Sequence, residues 1–210
     1  MAEDSLLRAI NEIEKAVGVK TGFFVALLKE DDWSFVIKLH ALVEAAITHL
    51  LVTASGTERL GDVYALLELS DNRKGKLAFV RGLDLLNSKY RHLIKTLSEV
   101  RNKLVHDVKN VGITLDEFVK KLDEQQSKNF VKAVMLDFDF TIEIGGRDIP
   151  IRQFIVENPK VGIWMAVMNL FGDIYIQKEY LNIRKSYLKS AEKVAKAVHG
   201  DDVEWLHLPK

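Results

Sequence analysis

DWSFVIKLHALVEAAITHLLVTA, residues 32–54, is the stretch on which the fold turns. Apolar side chains lie on most of its circumference, it contains neither glycine nor proline, and its length far exceeds that of an ordinary strand. It reads as a long helix buried between other helices. The only prolines are Pro150, Pro159 and Pro209, so nothing before residue 150 forbids further long helices.

Outward from this segment the helical pattern continues. On the N-terminal side, Asp4 caps a helix to about Val17, with Leu6, Leu7, Ile10, Ile13 and Val17 at three-to-four spacing, and Gly18 and Gly22 mark its exit. On the C-terminal side, residues 53–61 form a connection, followed by a helix near Asp62–Leu69, a turn at Ser70-Asp71-Asn72 and a helix over about Lys74–Leu86. The next helix starts at Ser88, runs to about His106 with Tyr90, Ile94, Leu97, Arg101 and Leu104 on one face, and closes near Asn110-Val111-Gly112. Thr114 with Glu117 is a capping box for a helix containing Leu115, Phe118, Val119 and Leu122. Residues 137–151, DFDFTIEIGGRDIPI, alternate polar and apolar on both sides of Gly145-Gly146, which predicts a short two-stranded hairpin near 138–151, an irregular loop being the alternative. Pro159 opens a last helix that extends to about His199, with Trp164, Met168, Phe171 and Tyr175 on a stripe that reads as core, and a lysine-rich second half. The expected class is therefore all-α, one domain over residues 1–210, with the hairpin as an exception.

Composition narrows the chemistry. The chain has no cysteine, which removes disulfides, thiolate-bound metal clusters and thiol nucleophiles. Its six histidines have no metal-binding spacing such as HExxH, and Gly145-Gly146 lacks the partners of a phosphate loop, so no metal and no cofactor is expected. MAEDSLLRAINEIEK carries acids where a secretory signal needs a basic and then an apolar run, and no apolar stretch reaches the roughly 18 residues of a membrane span. A soluble cytoplasmic protein with no membrane contact is the expectation.

Thirty basic and 30 acidic residues cancel, but not uniformly. Between Arg73 and Lys109 ten Lys and Arg face three acids, an excess of seven positive charges suited to phosphate, or else an ordinary solvated face. His40 and Glu44, one turn apart in the central helix, read as a satisfied core pair rather than part of a site.

Within the basic segment lies Arg101-Asn102-Lys103-Leu104-Val105-His106-Asp107. This resembles the end of the third helix of HEPN domains (higher eukaryotes and prokaryotes nucleotide-binding), marked by Arg, a polar residue, three variable residues and His. The helix over Trp33–Val52 fits the family's early helix. The resemblance covers roughly residues 30–110, within a HEPN-like core of about 30–125, and leaves a C-terminal extension of about 126–210 unexplained. The region is also similar to the mannitol operon repressor family, whose members are regulatory.

The resemblance implies a HEPN-type helical bundle and a metal-independent endoribonuclease, a toxin–antitoxin or antiviral effector acting on single-stranded RNA as a homodimer, with an antitoxin protein as a further partner. Arg101 and His106 would be catalytic. The chemistry is self-sufficient, because RNA supplies its own 2′-hydroxyl nucleophile, an imidazole takes the proton and a guanidinium stabilises the phosphorane. Asn102, four residues before His106, would orient its imidazole, and Lys95 and Lys103 would hold the RNA backbone. Arg101 and His106 stand about 140° apart on an ideal helix, so a twofold pairing of two motifs would bring them across one cleft. The alternative is a non-catalytic binding or transcription-regulatory module in which the same residues tie a helix end to its neighbours.

Overall fold

The computed structural model describes residues 10–15, 17–105 and 112–199. The predicted N-terminal helix is present over 10–15, and its opening lies outside the described residues. Five short helices and four longer ones follow: α1 (Phe23–Leu27), α2 (Asp32–Ser55), a 3-10 turn (Glu58–Leu60), α3 (Gly61–Ala65), α4 (Lys76–Gly82), α5 (Ser88–Val105), α6 (Leu115–Lys120), α7 (Glu124–Met135), a hairpin of β1 (Thr141–Ile144) and β2 (Arg147–Pro150), α8 (Ile151–Glu157) and α9 (Pro159–His199). The described chain is mostly helical with one small antiparallel sheet, as the sequence led us to expect.

α2 is the central helix. Asp31 caps it by accepting from the Ser34 amide at 2.9 Å, and Gly56 ends it in the left-handed conformation at φ 68°. It packs chiefly against α9 and α5 and buries Phe35, Val36, Leu39, Val43, Ile47, Leu50 and Leu51. By length and composition α2 is also apolar enough to cross a membrane, which corrects the expectation that no segment qualifies. Counting an unbroken apolar run missed it, because Lys38, His40 and Glu44 interrupt a helix whose average hydropathy stays high. Half of its most apolar window is buried inside the fold.

Buried polar groups fix the ends of the helices. Glu14, fully buried, accepts from the amides of Gly22 at 2.7 Å and Phe24 at 2.8 Å, satisfying donors that the start of α1 leaves open. Asp32 accepts from the Leu115 amide at 2.7 Å and pairs with Lys160 at 3.0 Å, so one carboxylate joins the starts of α2, α6 and α9. Trp164 donates from Nε1 to the Phe24 carbonyl at 2.8 Å, tying α9 to α1.

The connection before α4 departs from the reading of the sequence. The expected helix over 62–69 stops at Ala65, and the next begins at Lys76 rather than Lys74 and ends at Gly82. Asp71 draws the chain into a tight turn by accepting from the amides of Arg73 and Lys74, and the Lys76 and Leu77 amides donate back to Glu68 and Leu69. Gly75 is needed here: a Cβ would lie 2.3 Å from the Glu68 carbonyl oxygen.

The Thr114–Glu117 capping box and the hairpin are present as expected. Gly145 and Gly146 both have positive φ, 58° and 77°, as a two-residue type I′ turn requires, and Ile142 pairs with Ile149. α7 carries its own capping box, Asp123 with Gln126, and α8 follows Pro150 directly; neither helix was anticipated. Of the stripe on α9, Trp164, Met168 and Phe171 are core, whereas Tyr175 is exposed.

Candidate functional site

α5 brings the candidate residues to the surface on two flanks. Its apolar side, Leu93, Ile94, Leu97, Val100 and Leu104, is buried. Near its C-terminal end Arg101 and Asn102 are half-buried, and Arg101 Nη1 donates to Asn102 Oδ1 at 3.0 Å. The amide carbonyl thus holds the guanidinium, leaving the amide NH2 for other acceptors. His106 lies outside the described residues.

On the flank that faces α2, Ser98 precedes Arg101 by three residues and so lies next to it on the helix surface. Ser98 is buried and donates its hydroxyl hydrogen to the Ile94 carbonyl at 3.0 Å. His40 Nε2 lies 3.0 Å from the same oxygen. With the hydroxyl hydrogen directed to Ile94, Nε2 is placed to donate to the Ser98 oxygen, and in a neutral ring Nδ1 is then the acceptor. Burial holds the His40 pKa below the ordinary histidine value; Glu44 opposes this and the Arg101 cation adds to it.

Beside His40, Lys76 of α4 is almost wholly buried and its ammonium meets Glu44 at 2.6 Å. The expected His40–Glu44 core pair is therefore replaced by two cross-helix contacts, His40 to Ser98 and Glu44 to Lys76. Together with Arg101 and Glu68, whose charges act on His40, they form a polar cluster spanning α2, α4 and α5.

Lys95 and Lys103 lie on another flank, since from Arg101 the two residues to Lys103 turn the direction by about 160° and the six to Lys95 by about 120°. They line a cavity of about 170 Å³ between α5, α6 and α7, with His92, Glu99, Phe118 and Asn129 also in its wall. The Lys103 ammonium sits 5.5 Å from the centre of the Phe118 ring, and Lys95 lies 3.8 Å from Glu99. Burial, and then the positive charge of Lys132, lower the His92 pKa. The structure thus places Arg101 and Asn102 together and sets the two lysines apart from Arg101. His40, Glu44, Lys76 and Ser98 join the site from outside the motif.

Among the described residues no group of three potential metal ligands comes together. The chain matches no family model, no curated protein and no solved structure.

Proposed function

We propose that this chain is a metal-independent endoribonuclease whose bundle is of the HEPN type, acting in the cytoplasm as a homodimer and as a toxin–antitoxin or antiviral effector. The observation that carries the reading is Arg101, a half-buried guanidinium held by Asn102 near the end of α5, one turn from the His40–Ser98 contact. A guanidinium fixed before substrate arrives stabilises developing phosphorane charge without reorganising.

In the reaction, His106 takes the proton of the RNA 2′-hydroxyl as that oxygen attacks the adjacent phosphorus. Arg101 stabilises the equatorial oxygens, the bond to the 5′-oxygen breaks, and an imidazolium returns a proton to that leaving group. The products are a 2′,3′-cyclic phosphate and a 5′-hydroxyl. A single strand crossing the end of α5 meets Arg101 on one side and Lys103, then Lys95, on the other.

The test is cleavage of single-stranded RNA in the presence of a chelator. Activity with cyclic-phosphate ends is expected, lost by about a hundredfold or more in His106→Ala and in Arg101→Ala, with helical content unchanged. RNA methylated at the scissile 2′-oxygen should bind and survive. Lys95→Gln and Lys103→Gln should weaken binding and flatten its salt dependence. Full activity in His106→Ala, or a strict metal requirement, refutes the mechanism. The second reading, a regulatory module that binds a partner protein, is favoured by one observation: Arg101 already has an internal partner in Asn102. Absence of cleavage on any RNA selects it.

A further inference from the structure

α9 has 41 residues, and only its first part is packed. Ile163, Val167, Leu170, Phe171 and Ile174 are buried, Leu181 is the last residue packed against the core, and a separate apolar stripe lies exposed. Ile176 is 65% exposed, Tyr180 60%, Ile183 67%, Tyr187 73% and Val194 63%. With Ser190 and Ala197 these positions advance by alternate steps of four and three. That repeat averages 3.5 residues, the period of a coiled-coil seam rather than of a face packed on a globular core. Helices in proteins owe most of their stability to packing of an apolar face, and an exposed apolar stripe calls for a partner.

The geometry points to a parallel two-stranded coiled coil between this half of α9 and the same segment of a second copy of the chain. In heptad terms Tyr180, Tyr187 and Val194 occupy one core position and Ile176, Ile183, Ser190 and Ala197 the other. The flanking positions decide for a second copy in parallel. Glu179 of each copy falls opposite Arg184 of the other, five residues on, giving two attractive pairs by symmetry. The remaining flanks, Ser186 with Ala191 and Lys193 with Val198, set no like charges against each other. Lys178, Lys185, Lys189 and Lys196 lie away from the seam, where they do not oppose association. The small residues Ser190 and Ala197 let the helices approach closely. None of its residues belongs to the α5 site; it shares only the homodimer with the proposed function, and cleavage of RNA is read separately from the seam.

The chain has no cysteine, so a single introduced thiol reports geometry cleanly. In full-length Ser190→Cys, mild oxidation should give a covalent dimer, because residue 190 directly faces its own copy in a parallel, in-register pair. By sedimentation, wild type should be a dimer at micromolar concentration. Ile183→Asp should raise the dimer dissociation constant by about a hundredfold or more while keeping the helical signal of the core. Arg184→Glu should weaken the dimer, and adding Glu179→Arg should restore it. A monomeric wild type overturns the inference, and so does a dimer indifferent to Ile183→Asp, which would place association on another face. A dimer that depends on Ile183 without forming the Ser190→Cys bond overturns the parallel arrangement. Binding of monomeric wild type to anionic vesicles, abolished by Ile183→Asp, would assign the stripe to a lipid surface instead.

Discussion

Replacing Glu44 by Gln isolates the electrostatic support of the α2–α4 contact. Lys76 keeps only 1% of its side chain exposed and its ammonium meets Glu44 Oε1 at 2.6 Å. The substitution preserves shape and leaves a buried cation facing a neutral amide. Breaking a fully buried pair in this way costs about 3–5 kcal/mol. Glu44 is 38% exposed, so water reaches its end of the pair and screens it. The expected loss is therefore about 2–3 kcal/mol, a fall of about 4–12 °C in Tm for a chain of this size. Lys76→Met removes the cation itself, fills similar space and leaves a carboxylate that water can solvate, so it should cost about 1 kcal/mol or less. Urea denaturation of both variants and of the double variant checks the asymmetry: Glu44→Gln should be clearly the worse single change, and Lys76→Met should rescue it. The reasoning fails if Lys76→Met is as damaging as Glu44→Gln, or if Glu44→Gln is neutral.

Gly75→Ala should destabilise by about 2 kcal/mol or more, because the added methyl meets backbone rather than a flexible side-chain end; thermal melting compared with Gly82→Ala, where a methyl meets nothing, is the control. Partial burial favours the neutral form of His40, so its contribution to stability is complete above the unfolded-state value of about pH 6.5 and declines as pH falls through its depressed folded value. His92 acts in the same direction. The urea midpoint should therefore drop between neutral and mildly acidic pH, less steeply in His40→Asn than in wild type, and identical pH profiles for the two proteins would contradict the assignment.

Much of the fold is legible because its signals are local. α2 announces itself by an apolar circumference, α6 by Thr114 and Glu117, and the hairpin by alternation about two glycines. α7 had an equally local mark in Asp123 and Gln126 that the sequence reading passed over. The site is less legible. Arg101 and Asn102 are adjacent in sequence, but His40 meets Ser98 across 58 residues and Glu44 meets Lys76 across 32, and no spacing rule links such distant partners. The reversed flanks of Arg101 and Lys103 follow from helical geometry alone and were available beforehand. The exposed repeat of α9 was missed because only the stripe from Trp164 to Tyr175 was followed, and the second half was characterised by its lysines alone.

The carboxylate of Asp32 gives α9 a mechanical character. Lys160, in the first turn, is clamped to it, and the same carboxylate holds the amide at which the chain from α5 enters α6. Beyond Leu181, which still packs against the core, the helix runs to His199 over about 27 Å at 1.5 Å per residue. A rod clamped at one end and loaded at the other is a lever, and a small tilt at its tip arrives at the clamp as torque. Whatever grips the far end of α9 therefore loads the packed stretch from Ile163 to Leu181, whose first anchor is the Lys160–Asp32 pair.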